Sequence, residues 1–119
     1  MRITNRTRGA VVASRCDVAS TFLTRGIGLI GRSKLAEGEG LLITKTGSIT
    51  MLFMRFAIDA LFVDRSMRVL RVAGNLRPWV PVVAAPRGTD SVLELPAGTA
   101  ARTGTQAGDE LISSGSAAK

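Results

Sequence analysis

Two acidic side chains, Asp59 and Glu94, lie inside apolar segments and are the residues best placed to do chemistry. Asp59 occurs in ITMLFMRFAIDALFVD, residues 49–64, and Glu94 in SVLEL, residues 91–95. Two carboxylates in one cavity could act as general acid and base on a glycoside or a phosphate ester. Since a buried carboxylate is costly unless it is paired or hydrogen-bonded, the sequence favours a structural role for Asp59 and a solvent-facing Glu94.

As a structural lock, Asp59 would either accept hydrogen bonds from backbone amides or pair with an arginine. The candidate partners are Arg25, Arg32 and Arg55. Glu94 alternates with the leucines on either side of it and therefore faces the opposite side of its strand from them. If Asp59 and Glu94 shared a pocket, the enzyme interpretation would gain weight.

Other reaction chemistries are excluded by composition. The chain has no histidine and one cysteine, Cys16, so Ser–His–Asp or Cys–His catalysis and zinc sites of His/Cys type are impossible. Cys16 could be a thiolate nucleophile if Arg15 lowered its pKa, but a packed side chain is the simpler interpretation. We predict no metal site and no cofactor.

Trp79 is the strongest candidate for binding, because it lies in the proline-rich segment 75–90. In such a loop the favoured interpretation is that the indole closes one end of a barrel, and the alternative is that it remains exposed as an anchor for a partner or ligand. We expect a binding surface that combines Trp79 and Met54 with Arg25 and Arg32 at the end of a helix.

Length and composition indicate one domain, 1–119, with a core over about residues 8–112 and a frayed tail at 113–119. Apolar residues make up 45% of the chain, which is ordinary for a globular protein. No apolar run approaches the roughly 18 residues that cross a membrane. The single cysteine fits a reducing compartment, so we expect a cytoplasmic protein or the mature part of a longer precursor.

The net charge of +7 is concentrated at the N-terminal end, where residues 1–34 carry seven basic side chains and one acid. Such an excess could attract nucleic acid, anionic lipid or an acidic partner. However, the basic residues are scattered, tyrosine is absent, and the phenylalanines lie in apolar runs typical of a core, so a stacking platform is missing. A solvated arginine-rich surface is favoured over nonspecific nucleic-acid binding through the N-terminal third.

Short apolar runs separated by turn residues predict a mainly β (α+β) fold, a jelly-roll-like β-sandwich or barrel. Asp17 is a candidate N-cap for one packed helix near residues 17–30. Prolines exclude a central strand within 75–90, and 98–104 has room for one helical turn. The predicted strands are 8–14, 41–44, 49–54, 59–64, 68–73, 91–95 and 110–112.

Five segments follow one another in an order that resembles domain-of-unknown-function family 192, small prokaryotic proteins without an assigned activity. They are RGIGLIGR (25–32), GEGLLI (38–43), ITMLFMRFAIDALFVD (49–64), RVLRVAGNLRPW (68–79) and VLELPAGTAARTGTQAGDEL (92–111). The resemblance covers about residues 8–112 and implies a jelly-roll-like sandwich or barrel with a packed helix.

One departure from that family concerns a histidine. Where relatives often read Ile-His-Thr-Phe-Phe-Met, this chain reads ITMLFM at residues 49–54, so the histidine position is Thr50. A general-base or metal role for that histidine is therefore excluded here.

Taken together, these observations favour a small non-catalytic domain that binds a small anionic ligand or a protein partner. The alternative is an enzyme that uses Asp59 with Glu94 or an arginine on an anionic or sugar-like substrate. The candidate binding residues are Arg25, Arg32, Met54, Asp59 and Trp79, and the candidate lock residues are Asp59, Arg55 and Glu94.

Overall fold

The structure is a computed structural model that describes residues 1–21, 29–30 and 32–115. Within these ranges the chain forms short strands and one short helix. They are β1 (Arg2–Asn5), β2 (Ala10–Ala13), β3 (Arg15–Ala19), β4 (Glu39–Thr44), β5 (Ser48–Ile49), β6 (Ile58–Val63), β7 (Val69–Leu76), β8 (Val83–Ala84), β9 (Ser91–Pro96), α1 (Thr99–Thr103) and β10 (Leu111–Ser114).

The largest sheet has five strands in the order β3-β4-β9-β6-β7. Its β3–β4 pair is parallel, and its other neighbours are antiparallel. The inner strand β6 is buried at every position, and the central strand β9 at every position but its last. Their nearly continuous apolar sequences follow from this, because a strand covered on both faces does not alternate with polar residues.

A three-stranded sheet, β10-β1-β2, contributes to the core on one face of the large sheet and joins the two ends of the chain. Ile3 is fully buried there, so the core begins before the predicted boundary near residue 8. The buried members of this cluster are Ile3, Val12, Ala13, Cys16, Leu42, Leu61, Val63, Val69, Leu93, Leu95, Ala100 and Leu111.

The opposite face of the large sheet is covered by loops and by the two-stranded β5-β8 ribbon. Ile49 and Val83 of this ribbon pack with Phe62 and Val92. A second group on this face contains Met51 and Met54 from the loop after β5, together with Leu29, Leu35, Leu41, Ile43 and Ile58.

The mainly β prediction is confirmed. The described strands form three separate sheets rather than a closed barrel. The predicted strands at 8–14, 41–44, 59–64, 68–73, 91–95 and 110–112 each overlap an observed strand, and α1 occupies the predicted helical turn. In the described part of the chain, no helix is long and apolar enough to cross a membrane.

The helix predicted to start at Asp17 is wrong at its first turn. Residues Arg15–Ala19 form β3, and Asp17 pairs in register with Leu41 of β4 instead of capping a helix. An Asp before an apolar run caps a helix only if the amides that follow it need acceptors. Here the backbone groups of β3 form a parallel ladder of hydrogen bonds with β4 instead. Most of the remaining predicted helix, residues 22–28, lies outside the described residues.

Two further boundaries differ from the prediction. The strand expected over 49–54 is limited to Ser48–Ile49, and the chain then turns, with Phe53 in a left-handed conformation at φ 66°. At the other end, β10 continues to Ser114, because that residue pairs with Arg2 of β1. The first frayed position predicted, Ser113, is thus part of a sheet.

Candidate functional site

The carboxylate of Asp59 is 2% exposed and binds three backbone amides. Oδ1 accepts a hydrogen bond from the Asn75 amide at 2.8 Å. Oδ2 accepts from the amides of Gly98 at 3.1 Å and Ala100 at 2.9 Å. Asn75 lies in an irregular stretch of β7 at φ 50°, and the other two amides belong to the start of α1. Asp59 therefore attaches β7 and α1 to β6.

No arginine takes part in this arrangement among the residues that the structure describes. Arg32 forms a long ion pair with Asp17 at 3.8 Å, and Arg55 is exposed. Arg25 lies outside the described residues. Asp59 also borders a cleft of about 450 Å³ between β7 and α1, but both of its oxygens are already engaged. Of the two partners predicted for Asp59, backbone amides or an arginine, the geometry corresponds to the backbone amides.

Glu94 lies on the other face of the large sheet. It pairs with Leu41 and Ala60, whereas Asp59 pairs with the next residue, Leu95. Because directly paired residues share a face and successive residues alternate, the two carboxylates project in opposite directions. The structure therefore does not bring Asp59 and Glu94 into one cavity.

The expectation that Glu94 faces solvent is wrong, because its exposure is 5%. Its side of the sheet is the one covered by the loops and the β5-β8 ribbon. Burial raises the pKa of Glu94 to about 7. A carboxylate in this position is protonated over a much wider pH range than a surface glutamate.

The exposed aromatic surface lies at the turns after β5 and β7. Phe53 is 61% exposed and Trp79 is 58% exposed. Their rings meet edge to face, with centroids 5.1 Å apart and planes inclined by 63°. Of the two sequence interpretations of Trp79, the exposed anchor describes its position and the closed barrel end does not.

The backbone fixes this pair in an unusual conformation. Phe53 and Trp79 have φ values of 66° and 72°. The Trp79 amide donates to the Met51 carbonyl at 2.7 Å, and the Met51 amide donates to the Val80 carbonyl at 2.9 Å. The Met54 amide closes the turn by donating to the same Met51 carbonyl at 3.2 Å. The two turns are thus joined to each other through Met51.

A cleft of about 560 Å³ adjoins the aromatic pair. Met54 is 4% exposed and belongs to the core cluster, whereas Arg55 is exposed and is the one charged side chain in the described part of the lining. No carboxylate lies within ion-pair distance of Arg55 among the described residues. We call this site the aromatic cleft, and its lining consists of Ile30, Phe53, Met54, Arg55, Pro78 and Trp79.

Arg32, which we expected near Trp79, lines a different groove. That groove of about 500 Å³ also contains Arg2 and Arg15, together with the acids Asp17 and Glu39. It shares no lining residue with the aromatic cleft. Of the predicted binding residues that the structure describes, only Met54 and Trp79 are brought together.

Cys16 is buried in the core, and burial raises the pKa of its thiol to about 11. The nearby N-terminal amino group and a backbone hydrogen bond act in the opposite direction but do not compensate. A thiol with this pKa and no access to solvent is a packed side chain. In the ranges described, no three His, Cys, Asp or Glu side chains form a group that could hold a metal ion.

Phe53 is the cleft residue that sequence reasoning missed. It stands in a run of apolar residues that predicts a buried strand, and nothing in that run marks the turn that exposes it. Trp79 had a signal, because prolines on both sides exclude a regular strand. Arg55 was considered only as a partner of Asp59, and the structure places it in the aromatic cleft instead.

The chain is a small, mainly β domain with an exposed aromatic cleft. Its described residues form no catalytic constellation. The sequence model of the DUF192 family, described as Uncharacterized ACR, COG1430, matches residues 3–113. The chain belongs to this family. The family resemblance stated from the sequence is confirmed, and the family has no assigned function.

Similar proteins agree with this assignment. A "UPF0127 protein" of Thermococcus sibiricus is 30% identical over 111 residues, which are 90% of this chain and 71% of that protein. The crystal structure of a protein of unknown function from Novosphingobium aromaticivorans has a TM-score of 0.85 at 28% identity, covering 94% of this chain and 84% of that one. A Sinorhizobium meliloti structure named "putative transcription regulator" has a TM-score of 0.82 at 24% identity, covering 93% and 89%, and shows the shared fold alone.

Proposed function

We propose that this protein is a non-catalytic binding domain and that its site is the aromatic cleft. The observation that carries this proposal is the exposure of Phe53 and Trp79, at 61% and 58%, in contact with each other. Burying an aromatic side chain is strongly favourable, and Trp is enriched where proteins bind partners. A contiguous aromatic surface beside a cleft is therefore available to a ligand.

Backbone strain supports the same proposal. A left-handed conformation costs roughly 1–2 kcal/mol for a residue with a Cβ. Phe53 and Trp79 both adopt it, although neither ring is buried in the core. Strain of this kind is common at ligand sites, where it presents side chains in a fixed geometry.

The lining indicates the kind of ligand. Arg55 supplies a positive charge, and the remaining lining side chains are apolar or aromatic. A ligand with a flat apolar face and a negative charge fits this combination better than a neutral or cationic one. A small anionic molecule and an acidic segment of a partner protein both meet this description.

The enzyme alternative receives less support from the geometry. Asp59 and Glu94 project from opposite faces of the sheet, and Asp59 is fully engaged by backbone amides. A general acid and base must reach the same substrate. This pair does not meet that condition.

The test uses anilinonaphthalene sulfonate, an aromatic anion whose fluorescence rises when it leaves water. We expect saturable binding of one molecule per chain, weakened several-fold by Arg55→Gln and abolished by Trp79→Gly. Glycine is the substitution of choice because φ at position 79 is 72°, so the backbone tolerates it without strain. The probe carries its own signal, so loss of the tryptophan does not remove the readout.

Two control variants match these changes. Ile112→Ala shortens an apolar side chain that is 47% exposed on β10, and Arg65→Gln removes one positive charge from the exposed turn after β6. Both should bind the probe like the wild type. If Trp79→Gly binds the probe as well as the wild type does, or if the two controls weaken binding as much as the cleft variants do, the aromatic cleft is not the site.

A cytoplasmic location is part of this proposal and is supported by the cysteine content. The one cysteine of the chain is buried, so the fold has no disulfide that would require an oxidising compartment.

A further inference from the structure

We propose that the ligand of the aromatic cleft is a nucleotide group, with its base stacked on an exposed ring face of the Phe53–Trp79 pair and its phosphate bound by Arg55. This inference rests on the proposed function and names the chemistry of its ligand. A free mononucleotide and a single-stranded nucleic acid present the same base and phosphate, and the experiment below separates them.

The functional groups of the lining exclude several other ligand classes. Among the residues that the structure describes, no carboxylate, amide or hydroxyl side chain lines the cleft. A neutral sugar presents many hydroxyl donors and would leave most of them without a side-chain acceptor. A cationic ligand would be repelled by Arg55. A planar ring with an attached oxyanion uses both of the features that the cleft offers.

The geometry of the rings leaves surface for stacking. An offset parallel stack between Phe53 and Trp79 would cover one face of each ring, whereas their edge-to-face contact at 63° does not. Each side chain remains more than half exposed. Aromatic side chains in this state act as platforms for unstacked bases in proteins that bind single strands.

The chain segment that contains both cleft turns carries an excess of positive charge. Residues 45–88, which contain both cleft turns, carry seven basic side chains and two acids. Of these acids, Asp59 is buried with its amides and Asp64 accepts hydrogen bonds from the amides of Ser66 and Arg68. Arg77 is exposed directly before Pro78 of the lining.

The sequence led us to expect no stacking platform, because the phenylalanines lie in apolar runs. Phe53 corrects that expectation, since it is 61% exposed next to Trp79. The site therefore differs from the predicted basic N-terminal third, and Arg55 lines the same cleft as the two aromatic rings.

The experiment follows the fluorescence of Trp79, which is the only tryptophan in a chain without tyrosine. Excitation at the red edge of indole absorption avoids the nucleobases. Titrations at low salt use AMP, ribose 5-phosphate, inorganic phosphate and an oligothymidylate of about eight nucleotides, a length within the usual site size of a single-strand binder. We expect AMP and the oligonucleotide to quench Trp79, and ribose 5-phosphate and phosphate to leave its emission unchanged.

Three variants locate the contacts. Phe53→Gly, at a position with φ 66°, should weaken binding of the oligonucleotide by roughly 5- to 150-fold, the effect of removing one base–aromatic stack. Arg55→Gln should weaken binding and reduce the dependence of log K on log salt by about 0.7, the contribution of one single-strand phosphate contact. Arg65→Gln removes the same charge away from the cleft and should retain the wild-type affinity.

The outcomes distinguish a single strand from a free mononucleotide as the ligand. They also distinguish failure of the nucleotide inference from failure of the proposed binding site. Tighter binding of the oligonucleotide than of AMP supports a strand, and equal binding supports a mononucleotide. If neither quenches Trp79 while anilinonaphthalene sulfonate still binds the cleft, the nucleotide inference is overturned and the binding site remains. If an acidic phenylalanine-containing peptide quenches more strongly than AMP, the inference is also overturned. If the sulfonate probe fails too, both proposals fall.

Discussion

The three amide contacts of Asp59 explain why a charged side chain lies in a strand that is buried along its whole length. The carboxylate is desolvated, but its oxygens meet donors that would otherwise be unsatisfied at the irregularity of β7 and at the start of α1. A buried polar group that is fully hydrogen-bonded specifies a unique arrangement of the elements it joins.

Replacing Asp59 by alanine is expected to lower the free energy of unfolding by about 3 kcal/mol, because the buried Ala100 amide and the partly buried amides of Asn75 and Gly98 lose their shared acceptor. Urea unfolding followed by circular dichroism measures this. The matched control is Asp64→Ala, which also removes a carboxylate bound to two amides, but in an exposed turn. We expect that control to lose about 1 kcal/mol at most. Equal stability of the Asp59 variant and the wild type would show that the contacts do not hold the fold together.

Glu94 gives stability a pH dependence of opposite sign to that of a salt-bridged acid. Its pKa is about 7 in the folded protein, above the usual value of 4.5, because burial disfavours the charged form. The folded state therefore binds a proton more tightly than the unfolded state does. The stability that Glu94 contributes through this proton is fully present below pH 4.5, and it is lost as the pH rises from there to about 7.

We predict that this loss amounts to about 3 kcal/mol in the wild type and is absent in Glu94→Gln, since glutamine does not titrate. Unfolding curves at pH 4.5, where the loss begins, and at pH 8 provide the comparison. Between pH 4.5 and pH 8, Glu94→Gln should therefore become more stable relative to the wild type. A constant difference across the interval would mean that Glu94 is ionised in the folded protein at the lower pH.

Asp109 acts in another pH range. Burial alone would raise its pKa, but hydrogen bonds from Arg8 and Asn5 outweigh that effect and lower the pKa below the usual 3.8. The stability that Asp109 contributes is present above pH 3.8 and is lost at more acidic pH. The two carboxylates therefore do not obscure each other in the measurement proposed for Glu94.

How far the sequence predicts single residues depends on whether their role is local. Asp59 was found because a charge inside an apolar strand requires a partner, whatever the fold. The identity of the partner was not predictable, because Gly98 and Ala100 approach Asp59 only after β6 and β9 have paired. The orientation of Glu94 away from its leucine neighbours followed from strand alternation, but its burial depends on loops that cover the sheet from elsewhere in the chain.

At the level of elements, the strands with strong apolar runs were predictable and the capped helix start was not. Asp17 before an apolar stretch satisfies the rule for a helix N-terminus, yet β4 offers β3 a complete parallel ladder. Local capping contributes about 1 kcal/mol, and tertiary pairing outweighs it. The turn at Phe53 is missed for a related reason. Besides the local bond from Met54 to Met51, two hydrogen bonds join Met51 to Trp79 and Val80, far along the chain.

Gly40 of β4 lies where the large sheet packs tightly against β2 of the small sheet. A Cβ at this position would lie 3.1 Å from the Ala13 Cβ and 3.1 Å from Leu95 Cδ2. Both neighbours are fully buried, so neither has space to withdraw. The absence of a side chain at residue 40 is therefore a packing requirement.

Gly40→Ala is expected to destabilise the protein by about 1–3 kcal/mol through overpacking. Gly47→Ala is the control, because a Cβ there meets no atom within 4 Å. The control should be neutral, or stabilised by up to about 1 kcal/mol through a less flexible unfolded chain. Thermal melts of the two variants decide the matter, and a Gly40 variant at least as stable as its control would refute the proposed close packing.

The molecule as a whole is closed by contacts between its two ends. β1 pairs with β10, and Asn5 Nδ2 donates to Asp109 Oδ2 at 2.9 Å and to Thr105 Oγ1 at 3.0 Å. Arg8 Nε donates to the same Asp109 oxygen at 3.0 Å. These contacts, separated by a hundred residues or more in sequence, close the small sheet. Because that sheet shares a core cluster with the large sheet, we expect the two sheets to unfold together.

Cys16 reports on that cooperativity, because it is fully buried in the core cluster that both larger sheets share. Its thiol should react with a thiol reagent only after the molecule opens. The observed rate is then the rate of the unfolded thiol multiplied by the unfolded fraction, and is lower than the rate in the denatured protein by roughly 10³-fold or more. If unfolding is cooperative, Asp59→Ala, about 3 kcal/mol less stable, should react about 100-fold faster, although Asp59 does not belong to the cluster around Cys16. Denatured wild type and variant, which should react equally, provide the control. Equal native rates would show that Cys16 is reached by a local opening of β3 and that the sheets do not unfold as one unit.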